Sequence, residues 1–141
     1  MAKEQVGMNR TQLREQIFKL LFRIEFNPEE EMPEQVKLFF LDNDDINFEE
    51  EDEAYIINKY NSIVAAIPMI DAKIEEKSEG WSKNRIGKVE LTILRQAIYE
   101  ILEDESVPAG VAINEAVNLA KQFGQEQAGS YINGVLAKFV E

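Results

Sequence analysis

The chain contains no cysteine and no histidine. The first absence excludes disulfides, thiolate metal sites and cysteine nucleophiles, and fits a reducing compartment. The second excludes a Ser-His-Asp triad, the usual zinc sites and the usual general base near neutral pH. Long apolar runs are missing too. Nowhere do about 18 apolar residues follow one another, so no bilayer-spanning helix is expected. The opening MAKEQVGMNR has no apolar stretch before Leu13, so no secretory signal is expected there. Basic charge is scarce: 15 Lys and Arg stand against 27 Asp and Glu, a net charge of −12. A chain of 141 residues with this composition is expected to be a soluble cytoplasmic protein that buries a core without staples.

The charge is polarised. Residues 29–53 hold twelve acids and one base, Lys37, while residues 1–23 carry Lys3, Arg10, Arg14, Lys19 and Arg23 against Glu4 and Glu15. Charges more than about 8 Å apart are largely screened at physiological salt, so a basic N-terminal patch can act locally.

Helical spacing runs almost throughout. Helices are expected over Thr11–Phe26, from Pro33 onward, over Phe48–Ala66 and Met69–Lys77 on either side of Pro68, and over Ile86–Leu102, Val111–Phe123 and Glu126–Phe139. Asn9 or Thr11 is expected to cap the first, Gly80 to open a loop, and Gly124 to follow the sixth as a C′ residue. Ile86–Leu102 has two apolar seams, ending in Ile101 and Leu102, and is expected to be central. The fold class is therefore all-α, with about seven helices.

The first helix carries the most informative pattern. Arg10, Arg14, Phe18 and Phe22 are spaced by four and form one stripe. Guanidiniums followed by rings can grip phosphates and stack bases, at about 1–3 kcal/mol per stacked base. The plainer reading puts both rings in the core with the arginines reaching past them. About three basic contacts to single-stranded RNA would give a salt slope of only roughly −2, so a helper is needed. On this pattern Arg14→Ala is expected to flatten that slope.

Other patterns lead away from metals and catalysis. Asp42, Asp44 and Glu53 match positions one, three and twelve of a calcium loop, but Ile46 and Asn47 fill the fifth and sixth, where a ligand and a glycine are needed. Gly124 and Gly129 lack the Lys-Ser/Thr that follows a phosphate loop. No catalytic residue, metal ligand or cofactor is expected. Gly134, within a helix, suggests a close helix crossing.

The C-terminal half resembles the NusB family. The run from Arg85 to Glu100, Val107-Pro108 with Ile113-Asn114-Glu115-Ala116, Leu119 to Gly124, and Tyr131 to Leu136 are similar to its ordered motifs. Arg14-Glu15 with Phe22 is similar to its first helix. The resemblance implies one domain over 1–141 with two three-helix sub-bundles sharing a core, about 9–78 and 84–140. It implies transcription antitermination, with binding to boxA RNA of nascent ribosomal transcripts alongside the ribosomal protein NusE in an RNA polymerase complex. Arg10, Arg14, Phe22, Gln127 and Tyr131 are then the expected RNA-binding residues, with Tyr131 near the same RNA face as the first helix. Glu90 and Phe18 are the expected partner contacts. Phe22 stands where tyrosine is common, Tyr131 where phenylalanine is common, and Gln127 where an acid can occur, so Gln127 should repel phosphate less. Two alternatives remain open: an accessory module of an RNA-modifying enzyme, and a homo-oligomer, such as a homodimer, that buries Phe18 and Phe22.

Overall fold

The computed structural model describes residues 7–77 and 86–140. Gly80 and Arg85, like Lys3, lie outside the described residues. The described residues contain helices and no strand.

The first compact unit is Met1–Ser62. Helix α1 spans Arg10–Phe22. Asn9 starts it through a capping box: the Gln12 N–H donates to Asn9 Oδ1 at 2.8 Å, and the Asn9 N–H donates to Gln12 Oε1 at 2.9 Å. Such a cap stabilises a helix start by about 1 kcal/mol. Leu13, Ile17, Leu20 and Leu21 form its buried face. The expected continuation to Phe26 tightens into a 3₁₀ turn over Arg23–Phe26. A second 3₁₀ turn, Glu29–Glu31, leads into α2, Met32–Asp42, with Pro33 in its first turn. Arg23 pins the turn to α2: its guanidinium donates to Gln35 Oε1 and to Asp42 Oδ2, both at 3.2 Å, and lies 5.3 Å over the Phe39 ring.

Helix α3, Glu50–Lys77, replaces the two helices expected on either side of Pro68. Proline removes one intrahelical hydrogen bond and crowds the preceding turn. Here Pro68 is exposed, while the buried positions Ile56, Tyr60, Ile63, Ile70 and Ile74 keep one register through it. Solvent can serve the orphaned carbonyl, and burial on the far side holds the helix together. The described residues therefore form six α-helices rather than seven.

The second compact unit is Ile63–Glu141, which begins inside α3. Its remaining helices are α4, Lys88–Glu103, α5, Ala109–Phe123, and α6, Ala128–Ala137, and each packs on the other two. Along α4 both seams are buried at Ile93, Leu94, Ala97 and Ile98, but Leu102 emerges at 39% exposure as the helix ends. Lys77 closes the unit from α3: its carbonyl accepts from Lys138 Nζ at 3.4 Å, and its ammonium lies 5.7 Å from the Phe139 ring.

Two glycine expectations need correction. Gly124 caps α5 with φ −95°, ordinary extended backbone rather than the left-handed form. Space, not φ, selects glycine there: a Cβ would lie 2.8 Å from the Ala120 carbonyl oxygen and 2.7 Å from Ala128 Cβ. Gly134 is exposed, and a Cβ there would meet nothing within 4 Å, so it marks no close helix crossing.

Candidate nucleic-acid interface

In the first unit the start of α1 is tied to the start of α3. Asp52, only 4% exposed, accepts the Met8 N–H at 3.1 Å and the Glu49 N–H at 3.0 Å. Asp52 is thus no member of a solvated acidic face. It reaches back to cap α3 and holds the residue that precedes the α1 cap. This tether places Arg10 over α3, with its guanidinium carbon 4.4 Å from the Tyr55 ring centroid. The first turn of α1 carries no acid, so Arg10 adds its charge to the positive end of the helix dipole. Lys59, one turn beyond Tyr55, brings its ammonium 5.4 Å from the same ring.

The four-residue stripe does not lie evenly in solvent. Arg10 is exposed, Arg14 is 7% exposed, Phe18 is 3% exposed, and Phe22 is half-buried. The expected accessible strip is therefore interrupted at its middle, because a line of residues four apart drifts around the helix and crosses the buried face. Arg14 is buried rather than reaching past the rings, whereas Phe18 lies in the core, as the plainer reading had it, and offers no surface for a partner to dock on. The rings form a continuous series: Phe18 and Phe22 stack with centroids 5.9 Å apart, and Phe22 meets Phe26 edge-on at 5.0 Å. Phe26, which spacing by four also reaches, is 61% exposed and ends the series in solvent.

In the second unit, a cavity of about 420 Å³ brings three expected residues together: Glu90 from α4, Gln127 ahead of α6, and Tyr131 on α6. Gln125 and Ile86 complete much of its wall. The Glu90 carboxylate fits beside two glycines. A Cβ on Gly87 would overlap Glu90 Oε1, and one on Gly124 would lie 3.4 Å from Oε2. The Tyr131 phenol has its pKa pushed up, first by burial and then by the negative charge of Glu90. It stays protonated at neutral pH and keeps its O–H as a donor. The pocket thus combines two carboxylate acceptors, Glu90 and Glu126, with a phenol, two amides and apolar groups. A carboxylate repels phosphate and accepts from N–H groups, so this cavity suits a base edge or a cationic side chain better than an RNA backbone.

Tyr55, Lys59 and Phe26 were not singled out in the sequence. The available signal was spacing: Tyr55 and Lys59 stand four apart, as Phe22 and Phe26 do, and so share a helix face. Gly87 and Gly124 show their role only once Glu90 lies between them. Among the described residues no group of three Asp or Glu side chains could hold a metal ion, and no helix is long and apolar enough to cross a membrane.

Residues 11–141 match the model of the NusB family. The chain is 46% identical over 133 residues to the transcription antitermination protein NusB of Agathobacter rectalis, covering 94% of this chain and 99% of that one. A solved structure of T. maritima NusB superposes with a TM-score of 0.83 at 30% identity, covering 94% of this chain and 90% of the other. A crystal structure of antitermination factors NusB and NusE in complex with double-stranded RNA superposes with a TM-score of 0.73 at 29% identity, over 91% of this chain and 92% of that one.

Proposed function

The chain belongs to the NusB family, and from that membership we propose that it binds boxA-type single-stranded RNA of nascent ribosomal transcripts, together with the ribosomal protein NusE, in a cytoplasmic RNA polymerase antitermination complex. It is a transcription antitermination protein and not an enzyme. The observation that carries the proposal is the likeness, over nearly the whole chain, to a NusB solved with NusE and RNA.

The two units divide the work by chemistry. Exposed Arg10 supplies a cation for phosphate, and half-buried Phe22 supplies a ring for stacking. Gln127 and Tyr131 offer polar groups and an aromatic face to a base. Glu90 accepts from a base amino group or from a basic side chain of NusE. Phosphate contacts of this kind position the RNA, and base contacts read it. The few cations involved predict modest affinity alone and a large gain when NusE binds the same RNA.

Titration of boxA RNA with and without NusE tests this. Tighter binding in the presence of NusE is expected; equal affinity in both titrations overturns the proposal. No observation favours the accessory-module reading: the A. rectalis relative is matched over 99% of its length. The homo-oligomer reading loses Phe18, which is buried inside the chain.

A further inference from the structure

Glu90 lines more than one cavity. Besides the one described above, a second of about 570 Å³ opens on it, and its wall includes Gly87, Phe123, Gly124 and Gln125. It lies within unit Ile63–Glu141, at the start of α4 and the end of α5. Both glycines that flank the carboxylate belong to this wall: Oε1 lies against Gly87 and Oε2 against Gly124. Backbone bonds hold the two glycines in place. The Gly87 carbonyl accepts the Leu91 N–H, and the Gly124 N–H donates to the Ala120 carbonyl, each at 2.8 Å. The wall is therefore built before a ligand arrives, which limits the reorganisation that binding requires. Among the described residues no hydrogen bond or ion pair takes up the Glu90 carboxylate. A carboxylate in this state can accept two parallel N–H donors.

Unpaired RNA bases are read on their Watson–Crick edges. Of the four, only guanine offers two adjacent donors there, N1–H beside the N2 amino group. Adenine and cytosine set a ring-nitrogen acceptor next to their amino group, and uracil flanks its N3–H with two carbonyls, so each turns a lone pair toward a carboxylate. A guanidinium also offers two donors. It has no acceptor for the Gln125 carboxamide N–H, and it fills little of a cavity whose volume lies in the range that takes a whole planar ligand, about 300–1,000 Å³. We propose that Glu90 reads an unpaired guanine in this second cavity, its two oxygens accepting from N1–H and the N2 amino group, with Gln125 donating to O6 and Phe123 against the face of the base. The inference rests on the RNA-binding reading above and adds the identity of one base to it. Gly87 is a positioning residue, since a Cβ there would displace the carboxylate.

The test uses the full chain, NusE and a guanosine-containing boxA-type RNA in which each guanosine in turn is replaced by inosine, which lacks only the N2 amino group. One such replacement is expected to weaken binding by roughly fivefold, the lower end for a bidentate base contact. In Glu90→Gln the same replacement is expected to lose most of its effect. Gly87→Ala keeps the charge but swings the carboxylate aside, because its Cβ overlaps the end of a flexible side chain rather than backbone. It is expected to shrink the inosine penalty likewise. Glu103→Gln removes the same charge from the exposed end of α4, outside both cavities, and is expected to leave the penalty intact. Thermal melts of each variant separate binding loss from misfolding. A full inosine penalty in Glu90→Gln overturns the guanine site, and so does the absence of any inosine effect in the wild type. Weaker NusE binding by Glu90→Gln without RNA, with the penalty unchanged, would assign the carboxylate to a basic side chain of the protein partner and overturn it too. RNA binding by the wild type together with any of these results leaves the antitermination reading standing, whereas failure of the wild type to bind any RNA removes both.

Discussion

Arg95 grips Asp71 through two parallel hydrogen bonds, Nε to Oδ1 at 3.0 Å and Nη2 to Oδ2 at 2.8 Å, with both side chains nearly buried. This fork joins α3 to α4 within the second unit and so helps fix the helix that carries Glu90. Removing one partner leaves the other charge buried without it. Asp71→Ala is expected to destabilise the protein by about 3–5 kcal/mol, read from chemical denaturation. Replacing both residues with apolar side chains of similar volume should cost far less; an equal loss in both variants would show that packing, not charge, is at stake.

Arg10 and Arg14 should separate in their effects, contrary to the expectation from spacing alone. Arg10→Ala is expected to weaken RNA binding and to reduce the salt slope by about 0.7, with little change in melting temperature. Arg14 is buried, so Arg14→Ala is expected to lower stability and to leave the slope near that of the wild type. Salt-dependent titrations beside thermal melts check both. A flattened slope in Arg14→Ala would mean that the side chain turns outward when RNA arrives.

Tyr131 titrates above its ordinary value of 10.0 because burial and Glu90 both disfavour the phenolate. A raised folded value means that the native state holds the proton more tightly than the unfolded chain. The associated stability is present below pH 10 and is lost as pH rises through the folded value. Glu90→Gln removes the lesser cause. The Tyr131 midpoint, followed by NMR of its ring, should then fall toward 10.0 without reaching it. No movement would place the carboxylate too far away to act.

Gly124→Ala is expected to disturb the turn between α5 and α6. Its Cβ meets the Ala120 carbonyl oxygen, which is backbone and cannot swing aside. Gly134→Ala meets open space on a helix and should stabilise the protein by up to about 1 kcal/mol. Opposite shifts in melting temperature are the expected result, and a destabilising Gly134→Ala would contradict the geometry.

Much of the fold was legible because it rests on local periodicity. The buried faces of α1, α4 and α6 follow directly from spacings of three and four. Pro68 misled because its penalty is local, whereas the register of Ile63, Ile70 and Ile74 that overrides it is a property of the whole helix. The site was legible in part. The resemblance singled out Glu90, Gln127 and Tyr131, and one cavity contains them all. Spacing left open whether Arg14 and Phe18 face solvent or the core, because a stripe does not record how far the neighbouring core extends around a helix.

The sequence alone determined the helical class, the absence of cysteine and histidine chemistry, and the separation of a basic start from an acidic stretch, since each depends on residue identity or near-neighbour spacing. Tertiary structure decided that Asp52 reaches back to the Met8 N–H and that Arg10 lies over the Tyr55 ring. Those outcomes depend on contacts between residues more than forty positions apart, and only the packed chain brings such residues together.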